Sequence, residues 1–469
     1  MTAPRPGDAL LVGAAKLATS ALVLATGFRA VSDDDYARLV IAQRFAESPS
    51  LDPSGTSWLP VPFWVYGTAF SVFGEGLGVA RATALLLGVF SVLCVWLAAM
   101  WLGASRRGAV GAALLAAVFD WSAWLGAAAL PEAPAAGLTV LGIASLSSFE
   151  SSRRWVGAAA LAGACFSRYE AWPVALVFSA CQAFDAHRRR SWALAVPALV
   201  AVAPVALWLA HGMARHDDAL FFWKRVANYK RALGTPEAPR TPWLEPLVAL
   251  GARAALVAAT AFALAYRAKV RRETLVPYAR GFAALGALVA FLVVGSLGGA
   301  TPTHHAERAL LPAFFFAFCV LGHVAGPVLD SRRWYNAVAV ALVALYPWKL
   351  LSAPEDFARR ELELHIGNRA RELGAPALLV DTPDYGYLAV TAAFGRPNGS
   401  IPLDDHDPRK KRSADAFASQ EALRKRWGIV PDAWLVARDT HAPVAASLGR
   451  VRARNAAFTL FEPAPANPP

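Results

Sequence analysis

Three consecutive carboxylates, Asp33, Asp34 and Asp35, follow directly on an apolar run over 9–30, in the stretch Val31-Ser-Asp-Asp-Asp-Tyr-Ala-Arg38. The run is long enough to cross a bilayer, so the carboxylates stand where a transmembrane helix leaves it. Acidic side chains at that boundary are costly to desolvate unless they pair, bind a cation or do chemistry. A solvated helix cap is the plain alternative, because Ser and Asp are ordinary cap residues. An ionised carboxylate here suits general-base work. A further acidic group, Glu132, sits in Leu130-Pro-Glu-Ala-Pro134. Asp34 and Glu132 could also share a divalent ion, Mg or Mn, since hard cations take oxygen ligands.

The second set of residues is cationic and suits a phosphate. Arg168 lies with Tyr169 and Glu170 in the polar tetrad Ser167-Arg-Tyr-Glu170, which splits an apolar stretch. His304, His305 and Arg308 cluster in Thr301-Pro-Thr-His-His-Ala-Glu-Arg308, at the mouth of an apolar run. Lys224 and Arg225 follow Phe221-Phe-Trp223 in a basic, aromatic loop over 212–242. Cations at such positions grip phosphate or line a polar cavity, and basic-aromatic segments suit anionic lipid. An ordinary interfacial loop and structural histidines are the plain alternatives. Asp404-Asp-His-Asp407 holds metal-type donors, but amid Pro, Lys and Arg it reads as a solvated turn.

The elements that must position these residues are mostly apolar. Of 469 residues, 56% are hydrophobic and only 17% charged, with a mean hydropathy of +0.38. Repeated runs of near-spanning length predict a polytopic membrane protein. The net charge of +12 does not point to nucleic acid, because the Arg residues lie in short clusters between apolar runs. The four cysteines all fall in apolar stretches and read as buried small residues.

Spans are expected at about 9–30, 77–102, 108–126, 131–149, 191–211, 243–266, 281–300, 309–329 and 334–352. Residues 155–184 cross once or twice. The tetrad leaves halves of about twelve and fifteen residues, each shorter than a bilayer core of about 30 Å. Two crossings bring the total to about eleven. They also put His187-Arg-Arg-Arg190, the 267–280 loop and Arg332-Arg333 inside, as the positive-inside rule favours. Asp33–Asp35, Glu132, the tetrad and His304–Arg308 then lie outside. Between the first two spans, Tyr36, Leu39, Val40, Ala42 and Phe45 make a helical apolar face suited to a membrane surface.

After about 353 the chain is too polar to span. Ala377-Leu-Leu-Val380, Ala433-Trp-Leu-Val-Ala437 and Phe458-Thr-Leu-Phe461 read as short buried strands among helical, charge-rich segments. The expected organisation is a mainly α transmembrane domain over 1–352 and a small extracytoplasmic α/β domain over 353–469, ending in a disordered Pro-rich tail.

The acidic motif after the first span, followed by Pro60-Val-Pro-Phe-Trp-Val-Tyr66, Phe73-Gly74 and Arg81, resembles the GT-C membrane glycosyltransferases. Within them it looks most like the protein O-mannosyltransferase and aminoarabinose-transferase group. Glu132 matches the second outer acidic position, and Phe166-Ser-Arg-Tyr-Glu170 the polar tip of a short helical pair. The resemblance is firmest over 30–185. This chain has Asp33-Asp-Asp35 where those enzymes carry Asp or Asp-Glu, and Glu132 where Asp is common.

The resemblance implies a multi-pass enzyme of the inner (plasma) membrane. It would transfer a sugar from a polyprenyl-phosphate donor to a lipid, glycan or protein acceptor. Asp34, with Asp33 and Asp35 beside it, is the expected base. Glu132 would orient the acceptor, and Arg168, Tyr169, Glu170, His304, His305, Arg308, Lys224 and Arg225 would line the substrate site. A transporter or flippase of a lipid-linked or anionic substrate is the competing class. It too would carry intramembrane charge and broken helices, but the two halves show no clear internal repeat.

This topology is testable by labelling. A membrane-impermeant thiol reagent applied from outside should modify cysteines introduced in the 31–76 loop and in 353–469, but not at 107 or 189. Modification at 189 and in neither of the first two segments would invert the assignment.

Overall fold

The computed structural model describes residues 5–234, 278–298, 306–329, 357–411 and 415–464. The spans expected at 243–266 and 334–352, the pair His304–His305, most of the 267–280 loop and the end of the Pro-rich tail lie outside the described residues. In chain order the helices before the first gap are α1 (Pro6–Ala25), α2 (Asp33–Glu47), α3 (Val61–Phe73), α4 (Leu77–Trp101), α5 (Arg106–Val118), α6 (Asp120–Leu125), α7 (Glu132–Ser145), α8 (Ser151–Cys165), α9 (Ala171–Arg189), α10 (Val196–His216) and α11 (Phe221–Ala232). Beyond it come α12 (Ala279–Leu297), α13 (Ala306–Leu329), α14 (Glu361–Glu372), α15 (Tyr387–Phe394), α16 (Gln420–Trp427) and α17 (Ala442–Ala445). Five strands complete the chain: β1 (Ala377–Val380), β2 (Ser400–Pro402), β3 (Ala433–Arg438), β4 (Gly449–Arg454) and β5 (Phe458–Pro463).

The chain divides into two compact units. The first comprises residues 1–26, 55–61 and 84–353; the second comprises 27–54, 62–83 and 354–469. Five described helices, α1, α4, α10, α12 and α13, are long and apolar enough to cross a membrane. The protein is a mainly helical, multi-pass membrane protein with a small sheet near its C-terminus.

In the first unit the helices meet through small residues. Lipid supplies no hydrophobic drive between helices, so close backbone approach must do the work. Gly322 of α13 lies over Gly108 and Ala112 of α5, and Gly326 over Ser105, the N-cap of α5. A Cβ at Gly322 would stand 2.4 Å from the Gly108 carbonyl oxygen, and one at Gly108 would stand 2.2 Å from that of Gly322. The run expected over 108–126 is broken in two. Phe119 is extended between α5 and α6, and the Asp120 carboxylate accepts from the Trp121 amide at 2.8 Å. Lys16 of α1, fully buried, reaches this break and donates to the Ser122 carbonyl and, at 3.2 Å, to its hydroxyl.

The segment over 155–184 forms a hairpin. Arg154, near the start of α8, donates to Asp185, near the end of α9, at 3.0 Å. Arg280 of α12 grips the same carboxylate through 2.6 and 2.7 Å bonds. The polar tip, 166–170, is therefore at the other end of the unit. Arg153 over Trp101 and Arg189 over Phe149 add to the basic end.

In the second unit the sheet order is β2-β1-β3-β5-β4, with β1, β2 and β3 parallel and β5 antiparallel to β3 and β4. Side chains alternate across each strand, so Leu378 and Val380 enter one core with Trp434 and Val436, while Leu379 and Leu435 enter the opposite one. β4 is an edge strand whose Arg450 and Arg452 are exposed, a charged rim of the kind that discourages further strand pairing.

Helix α2 packs against α15 within this unit. Gln43, fully buried, donates to the carbonyls of Glu75 and Ala392, both at 2.9 Å. Gly67 of α3 lets Ala42 and Phe45 approach closely. The face of Tyr36, Leu39, Val40 and Ala42, which the sequence suited to a membrane surface, is buried in protein instead. The physical reason is that a helical apolar stripe has the same period whether it meets lipid or another helix.

The glycine contact between α5 and α13 yields a stability prediction. Gly322→Ala should cost about 1–3 kcal/mol through overpacking and lower the melting temperature in detergent. Gly286→Ala, where nothing lies within 4 Å of an added Cβ, is the control. Equal melting temperatures for the two variants would contradict a tight contact.

Candidate functional site

The acidic run is the first turn of α2. Ser32 is its extended N-cap, and a capping box forms in which the Ser32 amide donates to Asp35 Oδ2 at 3.2 Å. Asp35 is thereby turned inward and is only 2% exposed. Asp33 faces another partner. Arg360 donates to it from Nε and Nη2 at 2.8 and 2.7 Å, to Asp384 from Nη1 and Nη2 at 2.9 and 3.1 Å, and to Glu363 from Nη1 at 3.2 Å. Asp34, between them, is exposed and makes no ion pair among the described residues. Tyr36 donates weakly to the carbonyls of Ala358 and Arg359, at 3.5 Å each. Burial pushes its phenol pKa up and keeps it a neutral donor.

Glu132 opens α7 in the first unit and is 2% exposed. Its Oε1 accepts from Arg168 Nη1 at 3.2 Å and from Arg308 Nε and Nη2 at 3.1 and 2.6 Å. Arg168 also forks onto Glu170, at 3.1 Å from Nε and 2.5 Å from Nη2. Four residues singled out in the sequence, from three separate segments, thus form one network of two guanidiniums and two carboxylates. Ion pairs this deep must be mutually satisfied, because each charge has lost its water.

Tyr169, from the same tip, donates to the Ser57 carbonyl at 2.7 Å, accepts from Trp208 Nε1 at 3.0 Å and stacks on Phe222 with ring centroids 4.3 Å apart. The aromatic start of α11 is therefore buried, while Lys224 is exposed and paired with Asp218 at 2.8 Å. Arg225 is half-buried. His304 and His305 fall outside the described residues.

Asp34 and Glu132 belong to different units, and each is described within its own. At Glu132 two guanidiniums bond the same carboxylate oxygen and already supply its counter-charge, so no chemistry is routed through a metal there. The 404–407 run folds as a turn. Asp404 and Asp405 accept from the amides two residues on, Lys410 pairs with Asp405, and a hydrogen bond from the Arg409 side chain holds the Asp407 pKa down at about 2.

Sequence reading missed Arg360 as the partner of Asp33, Asp384 and Glu363 as the other acceptors of that guanidinium, and Lys16 at the α5–α6 break. Arg360 gave no local signal, because it stands in a charge-rich segment far along the chain from Asp33.

No family model matches the sequence, and no curated protein matches it. Among solved structures, the crystal structure of ArnT from Cupriavidus metallidurans in the apo state is similar over 94% of this chain and 96% of that one, with a TM-score of 0.53 and 16% identity. This is the GT-C fold. The membrane helices and the appended sheet of the present chain are both parts of that GT-C likeness, which covers nearly all of each chain.

The Glu132 network predicts strong coupling. Removing one partner of a buried ion pair costs about 3–5 kcal/mol. Glu132→Gln and Arg308→Met should therefore each destabilise the protein, while the double variant loses clearly less than their sum. Additive losses in thermal unfolding would show that the two residues are not coupled.

Proposed function

We propose that the protein is a membrane glycosyltransferase that moves a sugar from a polyprenyl-phosphate donor to a hydroxyl or amine of an extracytoplasmic lipid, glycan or protein. The observation that carries the reading is Asp34. On a chain with the GT-C fold, it is the exposed carboxylate of the acidic run, with Asp33 and Asp35 engaged on either side.

In the proposed reaction the acceptor attacks the anomeric carbon from the face opposite the phosphate. The acceptor's O–H or N–H bond breaks and its proton passes to the Asp34 carboxylate. The bond between the anomeric carbon and the phosphate oxygen breaks with its electron pair moving to that oxygen. The lipid phosphate gains charge as it leaves, which favours pre-positioned cations around it. Arg168 and Arg308, already gathered at Glu132, are the candidates, with Lys224 and Arg225 as outer ones. Tyr169 supports the tip from which Arg168 projects. The donor enters from the bilayer, so no nucleotide-binding loop is needed.

Asp34→Asn keeps the shape of the side chain but cannot take the proton. It should lower transfer by about 10²- to 10⁴-fold while a polyprenyl-phosphate sugar still binds. Transfer in liposomes, alongside movement of the same lipid across the bilayer, is the measurement. Undiminished transfer by Asp34→Asn would remove it as the base. A wild type that moves the lipid without transferring sugar would favour the transporter class.

A further inference from the structure

Arg360 lies outside every motif read from the sequence, yet it is the most fully engaged side chain around the acidic run. A guanidinium has five N–H donors, and the five bonds made here go to Asp33, Asp384 and Glu363. Its backbone is left-handed, with φ +49° at the N-cap of α14. A non-glycine residue tolerates that conformation only where its surroundings hold it there. The side chain is therefore fixed by the loop after β1, by α14 and by α2 together. Its hold on Asp33 is bidentate, which sets orientation as well as distance.

We infer that Arg360 is a positioning residue for the acidic run: it clamps Asp33 to the C-terminal α/β part and so fixes the first turn of α2 with Asp34 facing outward. The inference rests on the reading of Asp34 as the base. Asp33 is occupied by this clamp and Asp35 by the capping box, so the turn has one carboxylate left over for an acceptor. Farther along α2, Gln43 is bonded to the Glu75 and Ala392 carbonyls. Gln43, with the buried apolar face of α2, holds the helix farther along, so loss of Arg360 releases Asp33 and the first turn while the rest stays docked.

The experiment compares wild type with Arg360→Ala, Arg360→Lys and Asp384→Asn as full-length protein in detergent and in liposomes. Amide hydrogen exchange in peptides covering 32–40 and 382–386 should rise about tenfold or more in Arg360→Ala, with β1, β3 and β5 unchanged. Arg360→Lys keeps the charge but cannot form the paired bonds, so it should rise nearly as far, and Asp384→Asn less. With polyprenyl-phosphate-linked mannose and aminoarabinose as donor probes, kcat should fall about 10- to 10²-fold, as misplacement of a reacting group does. Donor KM should stay within about twofold of wild type, and millimolar guanidinium should restore part of the Arg360→Ala rate. Unchanged exchange over 32–40 overturns the inference, and so does exchange raised across the whole sheet. Asp34→Asn is measured in parallel. Normal transfer by that variant defeats the base assignment alone, whereas loss of transfer there with a wild-type kcat in Arg360→Lys defeats the positioning role alone.

Discussion

A charged side chain withdrawn from water has to carry its counter-charge with it, and this chain meets that demand with arginine forked onto carboxylate. Arg360 holds Asp33 and Asp384, Arg308 and Arg168 hold Glu132, and Arg154 and Arg280 hold Asp185. The planar guanidinium suits the role because two parallel bonds set direction as well as distance. Each network joins segments that are remote in sequence. Each therefore selects one arrangement of helices among the many that an apolar stripe alone would allow.

Between these charged nodes the first unit is packed by absence of side chain. The glycines of α5 and α13 bring two backbones together, and Gly137 does the same against Ser91, where an added Cβ would stand 2.7 Å from the Ser91 carbonyl oxygen. Small residues decide how closely helices approach, and ion pairs decide which ends meet. Lys16 combines both effects. Its amino group lies on the carbonyl of a short broken helix and is close to Gly126, where only a glycine leaves room for it.

Much of this was legible beforehand. Ala377–Val380 and Ala433–Ala437 stood out because strands buried on both faces read as unbroken apolar runs. The hairpin tip stood out because four polar residues interrupt an otherwise apolar stretch. The gathering of Arg168, Glu170, Arg308 and Glu132 was visible only as separate candidates at the ends of different spans. The partner of Asp33 was not visible at all, since nothing in a charge-rich segment marks the one arginine that reaches back across the chain. The side of α2 that faces protein could not be told from one that faces lipid, because both need the same spacing.

The clamp on α2 also has a consequence in time. Asp33 and Arg360 are 327 residues apart. At a synthesis rate of about 5–20 residues per second, the arginine follows the aspartate by about 15–65 s. Throughout that interval the acidic turn lacks the guanidinium it later closes on, and the growing chain must keep three adjacent carboxylates solvated. The turn takes its final form only after Arg360 has been made. A chain interrupted before that point would carry every residue of the acidic run and still lack its order.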